Sequence, residues 1–467
     1  MAVHLSGAGE SEMLEKQIAH AAIDLWNQDL PPKVLHLLKR NLIDSFAGIC
    51  ASLLDFPMIR KMKRYQALAP DPNGVTVWGV GERAQLLQAV FLNTILGRRS
   101  DLVNTYLSPD RMGGNHPSDN VSFVLTLAES KNLSGKEVFR ALHTVYVLSC
   151  AFSDYYNPEA GGYDHDATAS FYTALLAGLL QGLDESGLVQ CQRIAGAMGL
   201  NPDQTGLGRV TDWKHCTYAS CAMRGVEAAL LAKAGFQGPV DIYRGRAGWN
   251  RFLPHAPDFM SKPPDLGRIV FKSWQALVFC QTVIDAAVLL SPEFSKRDWR
   301  KIKSIRIETY EKALLEAGGD SAFKPATRAG RTHSLPYCLL AGLIRGGVDY
   351  DSFSGSFAKD QRMTALMDKV ILTADAKMTA AYPTKAPCKI TLDYEDGPPL
   401  SVFRKQPKGD PADPLSDEEI SAKAGAYLSK LIPADNCHRF IERMWSLEKE
   451  KKLIRFLIPL HKGVSHV

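Results

Sequence analysis

The chain has 467 residues, of which 45% are hydrophobic and 22% charged, and 55 basic against 50 acidic residues give a net charge of +5. Single hydrophobic cores stop growing at roughly 250–300 residues, so two domains are expected, and the ordinary composition excludes wholesale disorder. The basic excess is spread along the chain, which argues against nucleic acid but leaves room for a local Lys and Arg cluster around an anionic small molecule.

In chain order, residues 1–16 carry acids where an Arg-rich transit peptide avoids them, and they lack the apolar stretch of a secretory signal. From Leu35 the apolar Leu38, Leu42, Phe46 and Ile49 recur every three or four positions behind Pro31-Pro32, which predicts a helix. Residues 75–78 read as a strand. The helical period returns over 82–96, 118–130, 135–152, 167–183, 188–198 and 217–234, with Ser134-Gly135-Lys136-Glu137 as a capping box.

The character changes near Pro263-Pro264. A short strand is expected over 268–272, a helix over 274–290 and a strand over 302–309. The alternating runs 389–394 and 400–403 flank Asp396-Gly397 and predict a β-hairpin. After Pro407 the chain turns helical again at the capping box Ser416-Asp417-Glu418-Glu419 and continues so to about Leu460. The fold expected is mainly α with an α+β second domain: a large helical domain over 1–265, completed by 406–467, and a smaller α+β domain over 266–405.

Nine cysteines without a C-x-x-C pair weigh against a disulfide framework, a zinc ribbon and ordinary iron–sulfur ligation. No uninterrupted apolar run reaches the roughly 18 residues of a membrane span. The expectation is a protein of the reduced cytoplasm with no membrane partner.

Two polar stretches carry the chemistry. Arg98-Arg99-Ser100-Asp101-Leu102-Val103-Asn104-Thr105, followed by His116-Pro117-Ser118-Asp119-Asn120, links two helices and offers a carboxylate, an amide, a hydroxyl and an imidazole. It reads equally as a solvent loop with Asp101 and Ser118 as caps. Tyr163-Asp164-His165-Asp166 runs straight into an apolar helix, so His165 lies where backbone N–H groups collect and favour anions, although Asp164 or Asp166 can be a cap there.

Lys214 and Lys272 each have apolar neighbours, and such lysines usually snorkel to water. His333-Ser334-Leu335-Pro336-Tyr337 opens another helix, in which Tyr337 reads equally as core. Gly79-Val80-Gly81-Glu82-Arg83-Ala84 fits G-x-G-x-x-A, but no hydrophobic second strand follows to carry the ribose-binding acid, which rejects a dinucleotide fold. H-E-x-x-H, P-loop and G-x-S-x-G patterns are absent.

In this order the segments resemble the MmgE/PrpD family, which includes 2-methylcitrate dehydratases and cis-aconitate decarboxylases. The resemblance rests on Leu42 to Ala47, Asp101 to Thr105, His116 to Asn120, Asp164-His165, Lys214, Arg224 to Ala229, Phe271-Lys272 and His333 to Tyr337. It implies a cleft between a large helical and a smaller α+β domain and a homodimer; because the cysteine spacing of an iron–sulfur cluster is missing, no metal or cofactor is expected. It also implies that Asp101, Thr105, His116, His165, Lys214, Lys272 and Tyr337 line the site, with Asn104, Ser118, Arg224 and His333 as further substrate-binding candidates.

The H-P-S-D-N form is closer to the dehydratases, so the expected activity is elimination of water from 2-methylcitrate or a related 2-alkylcitrate. The alternatives are carbon dioxide release, isomerisation or epimerisation, and a catalytically silent binding paralogue. Two departures stand out: Asn104 replaces the family's second Asp, and Gln275 stands near the Pro of its F-K-x-x-P segment. In the expected mechanism Lys214 and Lys272, with Arg224 as a weaker third, neutralise the substrate's carboxylates. His116 and His165 exchange its protons, Asp101 acts as base or orients a histidine, and Tyr337 and Thr105 supply hydrogen bonds.

Overall fold

The computed structural model describes residues 8–108, 114–206 and 211–453. Helix Pro32–Leu53 starts behind Pro31, with proline in its first turn where a missing N–H costs little. Every residue from Asn41 to Leu53 is buried, as in a helix enclosed on all sides. Leu86–Arg99 packs on it, and so does Asp417–Leu428, which returns from the far end of the chain. Helix Thr217–Lys233 is likewise held among Leu86–Arg99, Ala169–Leu180 and Glu185–Ala197. Gly225 permits that approach, since a Cβ there would come within 2.1 Å of Thr173 Oγ1. Both expected capping boxes form, at Ser134 with Glu137 and at Ser416 with Glu419.

These helices share one hydrophobic cluster running from Leu14 to Phe271 and resuming from Leu415 to Leu453. A second cluster spans Ala276 to Tyr394. Its sheet has the order Val370–Ala374, Ile302–Thr309, Cys388–Tyr394, Leu400–Arg404, parallel in the first pair and antiparallel in the others. Ile302, Ile305 and Ile307 point inward, and helices Gln281–Phe294 and Leu335–Arg345 pack together beside the sheet. The molecule is thus a large helical domain with a smaller α+β domain.

Several elements differ from expectation. The helix expected from residue 82 begins at Leu86, because Arg83–Ala84 folds back to pair with Pro70–Thr76. The G-x-G-x-x-A glycines form that turn: Gly79 and Gly81 have φ of 74° and 82°, and Val77 N–H donates to Glu82 O at 2.8 Å. Residues 268–272 form no ladder, only a 3₁₀ turn at Leu266–Arg268 and a two-bond bridge between Val270 and Thr105. The helix expected over 274–290 starts at Gln281. Its side-chain amide donates to Trp274 O and Ala276 O, each at 2.9 Å, and accepts from Trp274 N–H at 3.0 Å, holding an irregular lead-in. The carboxy-terminal helix is two, Asp417–Leu428 and Ala434–Trp445, broken at Pro433, and its expected extension beyond residue 453 lies outside the described residues. Val370–Ala374 is a largely exposed edge strand with no alternation to betray it.

Where the chain crosses between the domains its two passes are joined. Phe271 N–H donates to Gly409 O at 2.9 Å and Ser273 Oγ donates to Lys408 O at 2.9 Å. Gly409 has φ of 94°, and a Cβ on it would stand 1.9 Å from Phe271 O. Among the described residues no single helix is long and apolar enough to cross a membrane.

Candidate active site

Helix Leu86–Arg99 ends beside Asp101, whose φ of 59° puts it in the left-handed region that Asp tolerates better than most residues. The Thr105–Val270 bridge draws the next segment alongside and places Lys272, wholly buried, with Nζ 3.0 Å from Asp101 Oδ1 and 3.2 Å from Asp101 O. Burial raises the Asp101 carboxyl, but the Lys272 ammonium and the His333 and His215 imidazoles outweigh it and hold it down to about 2. Burial lowers Lys272 against the opposing pull of Asp101.

His116 Nδ1 lies 2.9 Å from Asn104 O and 3.2 Å from Thr105 Oγ1. A carbonyl only accepts, so this bond assigns the proton to Nδ1 and leaves the Nε2 lone pair free. Burial, then Arg98 and Lys272, hold this imidazole well below its ordinary range, so it is neutral near pH 7. Its ring stands edge-on to His165, with centroids 5.2 Å apart.

His165 opens a 3₁₀ turn that leads into helix Ala169–Leu180, with Asp164 capping it by accepting from Asp166 N–H at 3.0 Å. Arg98 Nη2 donates to His165 Nε2 at 2.6 Å. The same guanidinium pairs with Asp119 and lies 3.5 Å from Asp166. Burial pushes the Asp119 carboxyl up to about 7 despite Arg98. Lys214 donates to Asp164 at 3.0 Å and Thr205 Oγ1 donates to the same oxygen at 2.8 Å. Burial opposes both charges, yet the pair holds Asp164 well below and Lys214 above their usual ranges.

Asp101, Thr105, His116, His165, Lys214 and His333 line one cavity of about 820 Å³ between the domains. The other sequence candidates lie elsewhere. Lys272 sits behind Asp101. Asn104 is wholly buried, donating to Asn41 Oδ1 at 2.8 Å and accepting from Ser118 N–H at 2.9 Å, so its amide braces the His116 loop against helix Pro32–Leu53. Ser118 is buried at the start of helix Asp119–Lys131. Arg224 bonds Asn201 at 3.2 Å and Cys221 at 3.1 Å. Tyr337 is in the smaller domain's core, its hydroxyl donating to Ser352 O at 2.9 Å. Ser334 caps helix Leu335–Arg345, which turns Tyr337 inward, while His333, just before the cap, reaches the cavity.

Sequence reasoning gave no role to Arg98, His215, Glu159, Asp203 or Lys312, all of which line the cavity. Arg98 stood inside the polar run, but nothing in the run signals its reach to His165. Lys312 Nζ lies 2.7 Å from Glu316 and 3.6 Å from Glu159, the second an ion pair across the cleft. Ligand atoms of Asp164, His165 and Asp166 lie within 4.8 Å of one another, as around a metal. Lys214 and Arg98 already engage them, however, and two cations at the ligand atoms oppose a third.

Residues 16–261 match the MmgE/PrpD N-terminal domain and residues 274–449 the MmgE/PrpD C-terminal domain. The 2-methylcitrate dehydratase of Salmonella typhi is 23% identical over 428 residues, 85% of this chain and 86% of that protein. The cis-aconitate decarboxylases of Mus musculus and Homo sapiens are 22% and 24% identical, covering 91% and 93% of this chain and 89% and 92% of their own lengths.

Proposed function

Because the chain belongs to the MmgE/PrpD family, we propose that it is a hydro-lyase that eliminates water from 2-methylcitrate or a related 2-alkylcitrate, giving an aconitate-type unsaturated tricarboxylate. The observation that carries this reading is the pairing of His116, with Nε2 free, and His165 on one cavity with Lys214. Elimination breaks a C–H bond beside a carboxylate and a C–O bond at a tertiary carbon. The proton and hydroxide leave as water while the C=C bond forms.

His116 is the base in this proposal. It is neutral, its lone pair is unblocked, and a positioned imidazole contributes roughly 10²- to 10⁴-fold. Asp101, held down to about 2 by Lys272, is too weak a base for that task and stands instead as a fixed negative charge, its Oδ2 3.8 Å from the Nδ1 of His333, a ring that Ala329 O orients at 2.9 Å. Lys214 and the Thr105 hydroxyl stabilise the charge that gathers on the substrate carboxylate as the proton leaves. Arg98 holds His165 beside the departing hydroxyl. The proposal includes a homodimer, which the family resemblance supports, in the cytoplasm and without a resident cofactor, which the cysteine pattern supports.

A second reading, carbon dioxide release from cis-aconitate, is favoured by the comparable identity to the two mammalian decarboxylases. Chelator-treated protein incubated with citrate, 2-methylcitrate and cis-aconitate separates the two. Alkene formation from the citrates supports the dehydratase, carbon dioxide from cis-aconitate supports the decarboxylase, and deuterium uptake without alkene would mark an isomerase. Ligand-induced thermal stabilisation with no product would mark a silent binding protein.

A further inference from the structure

The cavity has two unlike faces. The ionisable groups Arg98, Asp101, His116, His165 and Lys214 come from the helical domain. The smaller domain adds the ionisable Lys312, Glu316, Lys324 and His333, but beside them it presents Leu277, Val278, Phe279 and Leu315, more apolar surface than the opposite wall carries. Leu277, Val278 and Phe279 are half-buried and Leu315 is 74% exposed, so the fold leaves an apolar strip uncovered inside its own cleft.

Two of the strip's residues are tied in place. Leu277 N–H donates to Thr332 O at 3.0 Å, tying it to the segment that carries His333. The Phe279 ring packs near Tyr310 and Tyr382, with centroids at 6.4 and 6.3 Å. Of the two lysines this domain brings to the cavity, Lys312 is engaged by Glu316 and Glu159. The cavity's roughly 820 Å³ also lies in the upper part of the roughly 300–1,000 Å³ range of pockets that enclose drug-sized ligands.

We infer that the natural substrate carries an unbranched alkyl arm of several carbons, seated on Leu277, Val278, Phe279 and Leu315, with its acid groups against the His116 and His165 wall. The inference rests on the hydro-lyase reading and narrows it to 2-alkylcitrates with chains longer than methyl. The arm takes no part in the bond changes; it contributes binding and register.

The test is a series of 2-alkylcitrates from methyl to octyl, offered to the full chain. Burial of each added methylene raises kcat/KM roughly three- to four-fold until the strip is covered. In Leu315→Gln and Phe279→Gln proteins the ratio of octyl to methyl kcat/KM falls toward one, with melting temperature reporting that each variant folds. A kcat/KM that is flat or falls with chain length in the parent protein overturns the inference. If no member is turned over, thermal stabilisation by the same series decides. Stabilisation that grows with chain length upholds the alkyl seat and sinks the hydro-lyase reading, and stabilisation independent of chain length overturns the seat.

Discussion

Lys272 grips Asp101 twice, at the carboxylate (3.0 Å) and at the main-chain carbonyl (3.2 Å), and so fixes both the charge and the left-handed backbone of a cavity residue it stands behind. Removing one partner of a buried pair strands the other charge. Lys272→Met is expected to lower stability by about 3–5 kcal/mol, read from urea unfolding. The Asp101 carboxyl is depressed from 3.8 to about 2, so the stability it contributes is present above pH 4 and lost as pH falls through about 2. In the variant burial alone raises the Asp101 carboxyl, so the gap should begin to narrow above pH 4 and be smallest near pH 2; a gap independent of pH would show that the charge pair is not its source.

His116→Ala is expected to cost roughly 10²- to 10⁴-fold in kcat with the fold retained. The imidazole lies well below its ordinary 6.5, and a base works above its own pKa. The acid limb of the kcat/KM profile should therefore fall below pH 6.5. A limb centred at or above 6.5 would remove His116 from the role.

Arg98→Lys keeps a positive charge but loses the fork that reaches both Asp119 and His165. A misplaced His165 should lower kcat by roughly 10²-fold. Binding of substrate, measured separately by titration, should change far less, which separates misalignment from loss of a carboxylate contact.

Tyr337→Phe should leave kcat/KM as it is. The hydroxyl bonds Ser352 O inside the smaller domain's core, so its removal is expected to cost about 1–3 kcal/mol of stability. A large loss of turnover in a protein of near-normal stability would place this tyrosine at the chemistry after all.

Asn104→Asp installs the acid that the resemblance leads one to expect there, yet a carboxylate cannot donate to Asn41 Oδ1. The change should destabilise by about 1–3 kcal/mol and bring no gain in rate. Faster turnover in this variant would show that the acid belongs to the reaction in this chain too.

Much of the fold was legible because burial and period coincide. Pro32–Leu53, Gly135–Tyr155 and Ile302–Thr309 follow from apolar spacing, and the capping boxes from two short motifs. Errors clustered where a side chain or a distant segment satisfies the backbone, as Gln281 does before its helix and Thr105 does for Val270. Motif order brought Asp101, His116, His165, Lys214 and His333 to one cavity. Tyr337, which the residues alone allow in the core and the motif order assigns to the site, lies in the core because helix phase after Ser334 turns it inward. Motif order did not single out Arg98 or Lys312, whose partners lie 67 positions away in one case and across the cleft in the other.

At the crossing, two passes of main chain lie against each other with no room for a side chain at Gly409. The smaller domain hangs from this doubled tether, and the tether sets how its apolar strip faces the imidazoles. Alanine at 409 would spread the passes and tilt one face of the cleft against the other while every cavity residue stayed chemically intact. An enzyme of this build can be silenced at its joint, with every group that handles a proton left unchanged.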